Sequence, residues 1–278
     1  MMVTMLNDCA YVGWDLTRAL RRIGGVEIRY LPRGRSVAGK TIKVLLNVLR
    51  SQGIIHVHYA LQDAWLASKI RHLDVLHVHG SDVRHALHGR WGHLVRHNLQ
   101  VAKVILCATP DLPELVEPYR GPFQEVLYFP TPVDTDFFVE ASRNHDRPRA
   151  LYFEKSFGAP PDLLWALLKG AGFEVDRIVG RPFRYADMPR VFEHYDVFID
   201  QFYRGNSKTA LEAMATGLPV INVDAKQDLA ETVARLADPK IRRREGADQR
   251  RWVVLNHNVR MLADRLMGIY RRLDSKGP

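Results

Sequence analysis

The stretch Val197-Phe-Ile-Asp-Gln-Phe-Tyr-Arg204-Gly-Asn-Ser-Lys-Thr-Ala-Leu-Glu212-Ala-Met-Ala-Thr-Gly217-Leu-Pro219-Val-Ile221 holds one complete strand–turn–helix–turn–strand unit. Val197–Asp200 is a short apolar run of strand length. Gly205 lets the following turn come close to a ligand. Asn206 or Ser207 can cap a helix over Lys208–Thr216, and Gly217 stops it before a second strand, Leu218–Val223. A helical crossover between two such strands makes them parallel. The helix start presents N–H groups and the positive end of a dipole, which suits a nucleotide diphosphate. Glu212, about one turn inside, can accept hydrogen bonds from a ribose diol. An ordinary strand–helix turn with a solvated Glu has the same local pattern, so both readings stay open here.

The alternation extends in both directions. Met2–Leu6, Val26–Leu31, Ile54–Tyr59, Val75–His79, Val104–Ala108 and Val126–Phe129 read as strands. Helices are predicted at about 14–23, 41–52, 62–71, 86–100 and 111–118. Pro130-Thr-Pro132 and the polar, aperiodic stretch 141–149 interrupt the pattern. It resumes with strands at Ala150–Phe153 and Val175–Val179 and helices at Asp162–Lys169 and Met188–His194. A last helix, 258–273, has Val259, Leu262, Ala263, Leu266, Ile269 and Tyr270 at helical spacing, and so one face to bury. The expected fold is α/β, with two Rossmann-like, doubly wound parallel-sheet domains over 1–140 and 150–255 and a C-terminal helical segment over 256–278. Ligands in such sheets bind beyond the carboxyl ends of the strands, here expected to face a cleft.

The 278 residues are 46% hydrophobic and 26% charged, the balance of a globular protein. No apolar run approaches the roughly 20 residues that span a bilayer. The start of the chain lacks the layout of a signal peptide, and two cysteines, Cys9 and Cys107, make no disulfide framework. A cytoplasmic protein is expected. The net charge is +9, and residues 1–53 hold nine basic against three acidic side chains. That surplus points to an anionic partner: a phosphate-bearing substrate, an anionic membrane surface or a nucleic acid. A solvated basic face is the plain alternative. No nucleic-acid module is recognisable, so no specific nucleic-acid partner is expected.

Glu212 and the run Ala213-Met-Ala-Thr-Gly217-Leu-Pro219-Val220 resemble the C-terminal signature of the retaining GT-B glycosyltransferases of family 4. There a Glu, seven residues and a second Glu precede Ala-Met-Ala-x-Gly-x-Pro-Val. Glu212 matches the second Glu. Arg204 stands in place of the first, which in the family contacts the donor sugar. Val78-His79-Gly80-Ser81-Asp82-Val83-Arg84 is similar to the family's His-Gly-x-Asp element, which faces the reacting sugar. Ala108-Thr-Pro-Asp-Leu112 and Tyr128-Phe-Pro-Thr-Pro-Val-Asp134, with Phe137, resemble the family's sixth-strand loop and its lead into the linker. Arg251-Trp-Val253, His257 and Ile269-Tyr270 resemble its end, where the last helix crosses back to the first domain.

The resemblance implies transfer of a hexose from a nucleoside-diphosphate sugar to a hydroxyl acceptor, with retention of configuration. No metal is expected, since the site has no Asp-x-Asp sequence for a divalent ion, and no cofactor beyond the sugar-nucleotide co-substrate. His79 and Asp82 are the expected catalytic residues, His79 at the sugar and Asp82 holding local geometry or the acceptor. Gly13, Lys155, Arg204, Gly205, Asn206, Ser207, Lys208, Thr209 and Glu212 are the expected donor-binding residues. The family's Arg-then-Lys pair after the first strand of the second domain is reduced here to Lys155, and Arg204 adds a positive charge nearby. The basic helices suggest a lipid-linked acceptor and peripheral attachment to the cytoplasmic face of a membrane. Two rivals remain. One is a degenerate binding subunit, favoured by Arg204 and the missing Lys. The other is a sugar-nucleotide epimerase of the same fold, which needs a carboxylate pair that the first domain does not clearly offer.

Nine of the twelve histidines lie between His56 and His97. His56/His58 and His77/His79 are i,i+2 pairs on strands, so each pair shares a face. Zinc would suit such pairs. The strands are internal, however, no cysteine lies nearby in sequence, and the spacing follows no familiar zinc motif, so no metal site is expected. A core histidine bonded to backbone is the plain alternative for His79.

Overall fold

The computed structural model describes residues 1–32, 44–46, 48–51, 53–143, 145–154, 162–180, 182–200, 205–223 and 228–275. The chain forms two compact units, Met1–Pro132 with Val259–Pro278, and Val133–Asn258.

The first unit runs β1 (Met2–Leu6), α1 (Val12–Ile23), β2 (Glu27–Leu31), β3 (Ile54–His58), α2 (Gln62–Ile70), β4 (Val75–Val78), a single helical turn α3 (Ser81–Arg84), α4 (Gly92–Val101), β5 (Val104–Cys107), α5 (Leu112–Val116) and β6 (Glu125–Tyr128). Its described strands form one parallel sheet in the order β2-β1-β3-β4-β5-β6. β3, β4 and β5 are buried along their whole length, which is why they read as unbroken apolar runs. Leu6, Ile55, Val57, Leu76, Val78 and Ile105 face one side and pack with α2, α4 and α5. Val3, Met5, Ile54, Val75, Val104 and Leu106 face the other, with Leu16 and Leu20 of α1. The predicted helix over 86–100 is divided into a 3₁₀ turn at Ala86–His88 and α4.

The second unit runs β7 (Arg149–Glu154), α6 (Asp162–Gly170), β8 (Glu174–Val179), α7 (Met188–Glu193), β9 (Val197–Asp200), α8 (Lys208–Ala215), β10 (Val220–Asn222), α9 (Leu229–Ala237) and α10 (Pro239–Asn256). Its described strands form a parallel sheet in the order β10-β9-β7-β8. Val133 and Phe138 belong to this unit's core, with Phe192, Phe198 and Leu211, so residues 133–140 lie with the second unit. The closing helix α11 (Val259–Ser275) lies in the first unit, where Leu262, Ala263, Leu266 and Tyr270 join the β1 and α1 core. α9 and α10 were not anticipated from the sequence. Each begins at an aspartate cap: Asp228 accepts from Ala230 and Glu231 N–H, and Asp238 from Lys240 and Ile241 N–H.

Candidate functional site

In each sheet the chain first winds one way and then the other, which creates a switch point where two neighbouring strands feed helices on opposite faces. In the second unit this point lies between β7 and β9, and in the first between β1 and β3.

β9 ends at Asp200, which is fully buried. Its carboxylate accepts from Ser207 N–H at 2.8 Å and from Ser207 Oγ at 2.8 Å. Ser207 Oγ in turn accepts from Ala210 N–H at 3.2 Å and caps α8. This relay sets where the helix begins, and Asp200 is the residue that the sequence reading did not single out. Gly205 has φ +133°, a conformation open to glycine, and its carbonyl accepts from the Asn222 amide. The Ser207 N–H, expected to face an anion, is engaged by Asp200. Lys208, Thr209 and Glu212 are buried, and Lys208 Nζ lies 3.2 Å from Glu212 Oε1, with side chains 6% and 4% exposed. Glu212 thus shares its carboxylate with an ammonium one turn back. Pairing offsets part of the cost of taking both groups out of water. Lys155, after β7, and Arg204 lie outside the described residues.

In the first unit, Asp8 follows β1 and closes the start of α1. Its carboxylate accepts from Gly13 N–H at 2.6 Å, from Trp14 N–H at 3.2 Å and from the Tyr30 hydroxyl at 2.6 Å. Gly13 N–H therefore has a partner within its own unit. A Cβ at Gly13 would stand 3.0 Å from both Asp8 Oδ1 and His58 Nε2, so this position is a glycine for clearance. The Asn7 amide donates to the His58 carbonyl and ties the end of β1 to β3.

After β4, Asp82 is 1% exposed and accepts three backbone N–H groups: Ala60 at 3.0 Å, His79 at 3.1 Å and Gly80 at 2.9 Å. Burial raises its pKa, while those bonds act in the opposite direction. Asp82 is thus a positioning residue that fixes the backbone on either side of His79. Arg84 bonds Asp111 at 2.9 and 2.7 Å and Thr109 Oγ1 at 2.6 Å, clamping the turn after β4 to the turn after β5. Both partners lie inside quoted motifs, but only the fold pairs them.

His56, His58, His77 and His79 line one face of β3 and β4, beside Tyr270 and Phe129. The His77 and His79 rings stack at 4.4 Å, and His58 and His79 at 5.1 Å. His58 Nδ1 meets His79 Nε2 at 2.9 Å. Burial pushes His58 down to about 3 and lowers the other three well below the usual imidazole range, which favours the neutral rings. His79 is held by another side chain rather than by backbone.

The second unit also has a cavity of about 420 Å³ lined by Arg143, His145, Asp196, Arg242 and Arg243, among others. It lies at the opposite ends of β9 and β10, where the strands begin, and so apart from the Asp200–Ser207 turn.

No protein-family model and no curated protein matches the chain. Solved structures do. Sucrose-phosphate synthase from Thermosynechococcus elongatus is similar over 100% of both chains, at 13% identity and a TM-score of 0.75. HepE of Anabaena, in complex with UDP-glucose, is similar over 99% of both chains, at 12% identity and a TM-score of 0.67. TarM of S. aureus is similar over 83% of this chain and 59% of its own, at 9% identity and a TM-score of 0.61. At such identities the likeness is one of fold. The chain has the α/β fold of the GT-B glycosyltransferases.

Proposed function

We propose that the chain is a glycosyltransferase that moves a hexose from a nucleoside-diphosphate sugar to a hydroxyl acceptor, with retention and without a metal on the diphosphate. The observation that carries this reading is the position of the α8 start, just past the carboxyl end of β9 at the switch point of the second sheet. It is supported by neighbours of the same fold whose structures hold UDP-glucose, UDP, or UDP with glucose. In the reaction the bond from the anomeric carbon to the diphosphate breaks. A bond to the acceptor oxygen forms, and the acceptor proton leaves. The leaving diphosphate gains charge, and the α8 dipole with Lys155 and Arg204 would stabilise it. His79 would contact the sugar, held in place through Asp82. The acceptor is lipid-linked on this reading. The exposed Leu46 and Leu49, beside a basic stretch, favour a membrane surface.

The test is a thermal-shift series with UDP, GDP, ADP and their hexose conjugates. One nucleotide series raises the melting temperature with concentration, by about 2.7 kcal/mol of stability at one hundred times Kd. If none does, the donor reading falls. A second reading, a binding subunit without turnover, is favoured by Arg204, which stands where the family's sugar-contacting Glu belongs. A chain that binds a donor but neither transfers nor hydrolyses its sugar is that subunit. Release of an isomerised donor identifies an epimerase instead.

A further inference from the structure

We propose that β3 and β4 carry a buried site for one borderline transition-metal ion, of the zinc or cobalt(II) kind, with His56, His58 and His77 as ligands. The three side chains have no solvent exposure. They alternate on neighbouring parallel strands in which His58 is in register with His77. One ring nitrogen from each lies within 4.8 Å of the others. Tetrahedral zinc with bonds of about 2.0–2.1 Å sets its nitrogens about 3.4 Å apart. Ring shifts of about 1 Å close that difference. Binding also tips the His56 and His58 rings, now 12° from parallel, so that their lone pairs converge.

Hydrogen bonding leaves at least one nitrogen open on each ring. His56 Nε2, His58 Nε2 and both nitrogens of His77 are buried with no hydrogen-bond partner. Such orphans are rare in folded cores, and a metal ion satisfies three of the four, one nitrogen from each ring. The other nitrogens are already engaged, His56 Nδ1 with the Tyr270 hydroxyl at 2.5 Å and His58 Nδ1 with His79 Nε2 at 2.9 Å. A proton held on each Nδ1 leaves the Nε2 lone pair for an ion, the usual outer arrangement of metal-bound histidine. Charge is available too. Asp8 Oδ1 and His58 Nε2 both lie 3.0 Å from the point where Gly13 lacks a Cβ, so a carboxylate stands at most twice that distance from a ligand atom. An all-imidazole set selects zinc, cobalt, nickel or copper over magnesium or calcium. The ion fastens β3 to β4 and steadies the His79 ring through His58. It serves the fold and takes no part in the proposed transfer.

The test uses the full chain, stripped with a chelator at neutral pH and titrated with Co²⁺. One equivalent should give the visible absorption of nitrogen-ligated cobalt, and Zn²⁺ should displace it. X-ray absorption of the cobalt-loaded wild-type chain should count three imidazoles. His77→Leu should weaken binding at least 100-fold and lose the spectrum, while His93→Ala, at an exposed histidine, keeps both. Tyr270→Phe should weaken binding about 10-fold. No saturable equivalent, fewer than three imidazoles on the cobalt, or unchanged binding by a folded His77→Leu chain overturns the site. The X-ray count does not depend on any variant folding.

Discussion

Asp82 holds the turn on which His79 sits. Its two oxygens accept three N–H groups from two strand ends, with almost no exposure to water. Asp82→Asn keeps the size but turns an N–H₂ group towards one of those donors. The expected loss is about 1–3 kcal/mol of stability, read as a lower urea midpoint with unchanged slope. A variant as stable as wild type would show that Asp82 does not brace the turn. The spacing His79-Gly-x-Asp82 was legible, because it is local. Asp200 and Asp8 were not singled out, because a carboxylate at a strand end becomes a helix-positioning group only when the helix start returns to it. For Asp200 the return spans seven residues, and for Asp8 five or six.

Among the elements, the strands were the most legible. β3, β4, β5 and β9 are buried on both faces, so their composition carries the signal unaided. α11 was legible because a periodic apolar stripe marks its buried face. α10 was not. It buries only Gly246 and Val253 of its eighteen residues, and its run of arginines has no stripe to read. What seats it is close backbone approach. A Cβ at Gly246 would stand 2.1 Å from the Gly217 carbonyl oxygen, just beyond α8. Gly246→Ala must push α10 from the end of α8, at a cost of about 1–3 kcal/mol. Thermal unfolding checks it, and an unchanged melting temperature would mean that the two backbones separate freely.

At the scale of the molecule, the basic surplus lies in the first fifth of the chain. Arg21 and Arg22 are exposed on α1, on the same helix as the 38% and 39% exposed Trp14 and Ile23. Lys40 and Lys43 lie outside the described residues. Exposed cations beside exposed apolar side chains suit the surface of an anionic bilayer. Replacing Arg21, Arg22 and Lys43 together by Gln should reduce binding to phosphatidylserine vesicles by about 1 kcal/mol for each charge. Co-sedimentation measures this, and undiminished binding removes the membrane role. No described helix is long and apolar enough to cross a membrane.

The sequence by itself determined the α/β class, the positions of most strands and the turn before Lys208. Each of these follows from short-range rules: apolar runs, capping residues and a glycine where the backbone bends. Tertiary structure alone decided the partners. It assigned residues 133–140 to the second unit, paired Lys208 with Glu212, gave Asp200 to Ser207 and set four histidines ring against ring. These contacts depend on strand register and on helix ends meeting strand ends, and neither is recorded in the spacing of one segment.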